Sequence, residues 1–263
     1  VRDCAIALDC TSGADPGAPY AAPARETPFA AALRSPAKSL RIGLCNRFFE
    51  GDAVHPEVAA AVAAFAASLQ QLGHLVDEAT LDFGTLDVVR PVMEVIVTGT
   101  AMLLDGFAAQ RDRPLTPDEL EPAVWSALQI GRARSGGDYL RALNELHGLG
   151  RRMGRFHERF DLLLTPTLAE PPAVLGRFAM TNPDFMDYRL GPQGLWRYSP
   201  FTPLANATGA PAISLPVGRS SAGLPIGAML AAPLGGDALL LRVAAQWEAT
   251  TPQRELIAPA SRS

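Results

Sequence analysis

The stretch FTPLANATGAPAISLPVGRSSAGLPIGAML, residues 201–230, decides the fold. Residues 201–207 read as a short helical entry. Thr208-Gly209 is a natural stop, because glycine closes a helix in the left-handed conformation without steric cost. An apolar run over 210–217 follows, broken only by Ser214, and a second covers 225–232. Between them lies GRSSAGLP, whose glycines and small polar residues make a turn and cannot build a core. Two short apolar runs joined in this way predict a buried β-hairpin. Neither run alternates cleanly between apolar and polar, so both strands are expected to be covered on both faces. Ile213, Leu215, Ile226, Met229 and Leu230 are then core residues, and Ser220 lies on an exposed turn.

Outward from the hairpin the chain alternates strands and helices, which predicts an α/β fold. Residues 40–45 form a compact apolar strand. Pro56 opens a helix over 56–72 whose buried stripe is Val58, Val62, Phe65, Ala66 and Leu69. Residues 75–79 make a second strand, so strand, helix and strand form a parallel, right-handed βαβ unit. A helical layer spans 86–160: one helix over 86–110, a second from the Thr116 cap to 133, and a third over 135–160. Residues 161–164 are a third strand, terminated by Thr165-Pro166. Residues 170–200 read as an irregular loop rich in aromatic residues, and 235–250 as a last amphipathic helix capped by Asp237. Residues 1–8 form a short helix, and 14–39 a surface linker rich in Pro, Ala and Gly. The expectation is a single α/β domain over 1–263.

The pattern Asn206-x-Thr208-Gly209-x-Pro211-Ala212-x-Ser214-x-Pro216, followed by Gly223-Leu224-Pro225-x-Gly227, resembles the C-terminal signature of the amidase signature family. VRDCAIALD with DPGAPY, LRIGL at 40–44, LGHLVDEA at 72–79, DLLLTPTLAEPP at 161–172 and Gly236-Asp237 are similar to further family segments in the same order. LAEPPAVLG and SPFTPLANATG resemble the branch that hydrolyses aminohexanoate-type cyclic amides. The resemblance implies the C-terminal portion of that fold, a mixed and mostly parallel sheet covered by helices. It also implies amide hydrolysis by a serine nucleophile, a cis-peptide serine and a lysine. The Gly/Ser-rich segment that carries those groups is absent from these residues, and Lys38, the only lysine, sits in the linker. The chain is therefore expected to be the C-terminal half of an amidase, inactive alone, with its catalytic groups upstream. It would self-associate through the cut face.

Related amidases line the acyl side of their pocket with the segment that matches Thr165, Thr167 and Leu168. These residues also follow a strand end, where open α/β sheets place ligands. Tyr198 is a candidate for the same wall, and Phe178, Tyr188 and Trp196 either join it or simply pack the loop. Asn206 is expected to bond backbone between helix and hairpin. Two other readings are a non-catalytic relative that binds a ligand or partner, and a subunit of the amidotransferase type.

Composition bounds these readings. An apolar fraction of 48% supports a sizeable core, and a net charge of −4 with interspersed arginines offers no basic surface for nucleic acid. No apolar run in the sequence reaches the roughly 20 residues of a membrane span. Cys4, Cys10 and Cys45 show no CxxC spacing and read as free core or near-core thiols of a cytoplasmic protein. His55, His74, His147 and His157 fall in no metal-binding spacing, so neither metal nor cofactor is expected. Ser220 and Ser221 join strand to strand, which is the wrong context for a nucleophile elbow.

Overall fold

The apolar segments pair into a five-stranded sheet in a computed structural model that describes residues 1–24, 27–48 and 51–250. In chain order the strands are β1 (Arg41–Leu44), β2 (Arg47–Phe48), β3 (Asp52–Ala53), β4 (Leu75–Glu78), β5 (Leu162–Pro166), β6 (Ala212–Arg219) and β7 (Pro225–Ala231). The main sheet runs β4-β1-β5-β7-β6, while β2 and β3 pair separately. β1 is parallel to both β4 and β5, and β7 is antiparallel to β5 and to β6. Only β7 therefore runs against the common direction, which makes the sheet mixed and mostly parallel.

Helices cover both faces. On one side lie α3 (Pro56–Gln71) and α10 (Asp237–Glu248), with Phe65 and Trp247 meeting edge to face at 5.2 Å. Ile42, Leu162, Leu164 and Leu230 belong to this core. The α3 stripe is the one its periodicity predicts: Val58, Val62, Phe65, Ala66 and Leu69 are buried. The opposite side carries α4 (Thr85–Gln110), α5 (Pro122–Arg132), α6 (Gly136–Arg159) and α9 (Thr202–Thr208). There Val88, Leu149, Met153 and Leu204 pack on Leu163. Leu162 and Leu164 thus face one helical layer and Leu163 the other, as the two-residue period of a strand requires. Each such leucine stabilises the fold by about 1.5–3 kcal/mol through burial.

α4 is long and apolar enough to cross a bilayer by length and composition alone. Here it is a layer of this fold, with Val89, Met93 and Val97 buried beneath Ala123 and Ala127 of α5. Glu94 pairs with Arg134 at 2.7 Å, and Asp105 pairs with Arg132. Gly131 permits the close approach, since a Cβ there would overlap the Val97 carbonyl. The remaining helices are short: α1 (Arg2–Thr11), α2 (Phe29–Ala32), α7 (Phe185–Leu190) and α8 (Leu195–Tyr198). Asp9 of α1 accepts from Phe29 and Ala30 N–H groups at 2.8 and 2.9 Å, which pins α2 and buries Phe29.

Several expectations are corrected. The Thr116 cap opens only a 3-10 turn, Pro117–Glu119, and a separate helix starts at Pro122, because the extended backbone at Leu120 breaks the run. Thr165 and Pro166 lie within β5 rather than ending it. The 170–200 segment contains α7 and α8, whose Phe185 and Trp196 are buried against α4 and α5. β6 is an edge strand with Ala212, Ser214 and Pro216 exposed, so Ile213 is only half-buried and only β7 has the expected double cover. Gly236, not Asp237, caps α10. Asn206 is exposed, and so are Cys4 and Cys10, while Cys45 is half-buried.

Ser220 is also corrected. It is 8% exposed, and its hydroxyl accepts from the Leu224 N–H at 3.2 Å while its backbone closes the turn with Leu224 and Gly223. Ser220→Ala should therefore cost about 1 kcal/mol in a denaturant melt, the net worth of a typical hydrogen bond. The exposed neighbour change Ser221→Ala should stay within about 0.5 kcal/mol.

His74 is 3% exposed and neither ring nitrogen finds a hydrogen-bond partner. Burial lowers its pKa, and burial likewise lowers that of His157. A histidine held neutral in the fold binds fewer protons than in the unfolded chain, so stability rises with pH across that interval. The contribution is complete above the ordinary value of about 6.5 and is lost as pH falls through the lowered folded value. Melts between neutral and mildly acidic pH should show this loss, and His74→Gln should flatten part of the slope.

Candidate active-site cavity

The chain leaves β1 through α3 to reach β4 on one side. It then returns through α4, α5 and α6 to place β5 on the other side of β1. Such a reversal opens a crevice at the carboxyl ends of parallel strands, the usual ligand position in open α/β sheets. A cavity of about 740 Å³ occupies it. Its walls are the ends of β1 (Leu44, Cys45, Asn46), the β4–α4 loop from Glu78 to Gly84, the first turn of α4, Thr165 of β5, and Phe201 and Leu204.

Thr165 is the polar group that this cavity isolates. It is 3% exposed, and its hydroxyl has no hydrogen-bond partner. An unsatisfied buried hydroxyl costs on the order of 1–3 kcal/mol, which makes Thr165 a candidate for pairing with water or a bound molecule. Several other polar groups on the wall have partners. The Gly84 N–H donates to Asp87 at 2.9 Å, reinforcing the start of α4. Asp82 receives Arg152 at 3.1 Å and Arg155 at 3.6 Å. The Arg47 guanidinium donates to the Gly51 carbonyl at 3.0 Å. Burial pushes the Cys45 thiol pKa up, which keeps that wall neutral.

The sequence-predicted residues separate into three places. Thr165 lines the cavity, whereas Thr167, Leu168 and Tyr198 do not. The Thr167 hydroxyl lies 2.6 Å from that of Ser214, and its N–H donates to the Gly227 carbonyl at 3.0 Å. A Cβ at Gly227 would sit 2.8 Å from the Thr167 hydroxyl and 3.1 Å from that of Ser214, so this crossing needs glycine. Leu168 is half-buried just beyond it. Tyr198 braces the next turn: its carbonyl accepts from the Ala169 N–H at 2.9 Å and its hydroxyl from the Ala173 N–H at 3.2 Å. Its ring lies 5.1 Å from Phe178, over which Arg177 stacks while pairing with Glu170 at 2.7 Å.

The remaining aromatic candidates pack the loop and do not reach the cavity. The Trp196 indole N–H donates to the Met93 sulfur at 3.3 Å, and the Tyr188 hydroxyl donates to the Phe178 carbonyl at 3.3 Å. Among the described residues no serine hydroxyl is hydrogen-bonded to a histidine or lysine, and no group of three His, Cys, Asp or Glu side chains is placed for a metal. Sequence reasoning missed Asn46, the Thr80–Gly84 wall and Phe201. The strand-end rule applied to β5 alone found Thr165; applied to β1 and β4 as well, it would have found the first two.

A family model for amidases matches residues 1–241. The 6-aminohexanoate-cyclic-dimer hydrolases of a Pseudomonas strain and of Paenarthrobacter ureafaciens are each 33% identical over 257 residues, covering 96% of this chain and 52% of the relative. A putative amidase AmiC of Mycobacterium bovis is 34% identical over 236 residues, 86% of this chain and 47% of that protein. Among solved structures, 6-aminohexanoate cyclic dimer hydrolase superposes with a TM-score of 0.85 at 32% identity, over 95% of this chain and 53% of that one. A bacterial aryl acylamidase of the amidase signature family reaches 0.82 at 20% identity over 100% of this chain and 54% of that one, which speaks for the fold alone. The chain spans about half the length of the curated relatives it matches. With the family model matched over most of the sequence and the same sheet shared with solved amidases, this chain belongs to the amidase signature family.

Proposed function

We propose that this chain forms the sheet scaffold and one wall of the substrate pocket of an amide hydrolase acting on small non-peptide amides. In this reading the serine nucleophile and the lysine belong to sequence upstream of Val1. The observation that carries the pocket is the cavity at the strand ends, whose lining includes Thr165, a buried residue with an unpartnered hydroxyl. A hydroxyl both donates and accepts, which suits it to an amide group. A small-molecule amide substrate is supported by the relative named 6-aminohexanoate cyclic dimer hydrolase, one structure of which is described as complexed with substrate. Covalent amide hydrolysis needs a nucleophile beside a base. Among the described residues, no such hydrogen-bonded serine pair exists, which supports a supporting rather than a catalytic role for the chain by itself.

Two measurements test the reading. The purified chain, assayed against simple anilides and carboxamides, should turn over no faster than a heat-killed control. Serine-dependent turnover above that level would sink the division of labour. In denaturant melts, Thr165→Val should change stability by less than about 0.5 kcal/mol or raise it, because no hydrogen bond is lost. Thr167→Val, which loses the 2.6 Å contact with Ser214, should cost about 1 kcal/mol. A large loss from Thr165→Val alone would show that its hydroxyl serves the fold and not a ligand.

A further inference from the structure

We propose that Arg189 is a carboxylate-recognition point, its guanidinium taking a carboxylate end-on through the two terminal nitrogens. The site is separate from the cavity at the strand ends, whose walls include neither Arg189 nor the rings around it. Three aromatic rings surround the guanidinium carbon, with centroids at 5.2 Å for Phe185, 5.4 Å for Tyr188 and 5.6 Å for Trp196. The fold holds these rings in place. Phe185 and Trp196 are buried against α4 and α5. The Phe185 N–H donates to the Ser126 hydroxyl at 3.1 Å, and the Tyr188 hydroxyl donates to the Phe178 carbonyl at 3.3 Å. An aromatic ring attracts the charge but offers the guanidinium N–H groups no lone pair. Their planar fork matches the two oxygens of a carboxylate.

Other ring-stacked arginines of this chain are completed by a carboxylate. Arg177 lies over Phe178 at 4.9 Å and pairs with Glu170 at 2.7 Å. Arg152 lies over Phe83 at 4.9 Å and pairs with Asp82 at 3.1 Å, and Arg111 lies over Phe107 at 5.1 Å and pairs with Glu119 at 2.5 Å. Arg159 stacks on Phe160 without such a pair, but it is exposed, where water solvates its charge. Arg189 is half-buried and makes neither an ion pair nor a side-chain hydrogen bond among the described residues. Its Nε is buried without an acceptor, whereas its terminal nitrogens are not enclosed. The nearby carboxylates of α7 are engaged elsewhere. Asp187 accepts from the Asn182 side chain at 2.9 Å, and Asp184 accepts from the Met186 and Asp187 N–H groups at 2.8 and 3.1 Å. Burial pushes the Arg189 pKa down, while the bond to Glu170 raises that of Arg177. A partly desolvated cation is costly without a counter-charge, and a carboxylate at the terminal nitrogens would supply it.

A free organic acid and an acidic side chain of a protein present the same group, so the test uses both. The whole chain is titrated at neutral pH with sodium propionate, with N-acetylglutamic acid α-amide, with propionamide as the neutral isostere, and with sodium chloride at matched ionic strength. The readouts are the NMR shifts of the Arg189 Nε–H and the Trp196 indole N–H. Both carboxylates should give saturating shifts that propionamide and chloride do not. Arg189→Lys keeps the charge and loses the fork, and it should weaken propionate about fivefold or more, read at the Trp196 indole. Arg189→Gln should abolish propionate binding; if that variant does not fold, Arg189→Lys and the chloride comparison decide. Tighter binding of the glutamate amide than of propionate points to a protein chain as the source of the carboxylate, and equal binding to a free acid. Chloride shifts as large as those of propionate, no saturation by either carboxylate, or propionate binding undiminished in Arg189→Lys would overturn the proposal.

Discussion

Five consecutive side chains, Leu162–Pro166, are buried in the middle of the sheet, and the rest of the structure depends on that strand being covered on both faces. Leucines alternate to one helical layer and then the other, so neither layer can be removed without exposing the strand. The strand is held at its start by charge. Asp161 accepts from the Arg41 N–H at 2.7 Å and pairs with the Arg41 guanidinium at 2.9 Å, and that arginine keeps the Asp161 carboxyl below its usual range. The pair is partly exposed and worth little in energy, but it sets the register of β5 against β1.

The same strand creates the site. It passes from leucines wanted by both cores to Thr165, which neither core satisfies, at the point where β1 and β4 also end. The cavity is thus a consequence of the crossover: a parallel sheet that reverses its order leaves the strand ends uncovered by their own connections. On its wall Asp82 is held by Arg152 and Arg155 of α6, and Asp87 by the neighbouring Gly84 N–H.

The hairpin plays a different part. β7 is inserted between β5 and β6 and is nearly all buried, while β6 leaves Ala212, Ser214 and Pro216 open. A sheet with an unpaired edge of this kind is a template for further chain. The turn is tied down by the Ser221 N–H, which donates to Glu57 at 3.1 Å, and the Ser221 hydroxyl and then that N–H lower the Glu57 carboxyl's pKa. The hairpin is bonded to α3 at its tip and exposed along its outer strand, and the Thr167–Ser214–Gly227 crossing lies on that strand.

Much of this was legible in the residues themselves. The α3 stripe, the βαβ unit, the hairpin limits and the Gly209 stop follow from local periodicity and backbone preference; Gly209 does take φ of 70°. The candidate Thr165 followed from one strand end. What the residues did not reveal were features set by partners distant in sequence. Whether β6 is central or an edge depends on which strand lies beside it, and an apolar run reads the same in both positions. Trp196 and Tyr188 belong to the packing of α4 and α5 because those helices, more than fifty residues away, come to lie beneath them. Local sequence specifies how a segment bends and which face is apolar; burial and the loss of a hydrogen-bond partner arise only when separate segments meet.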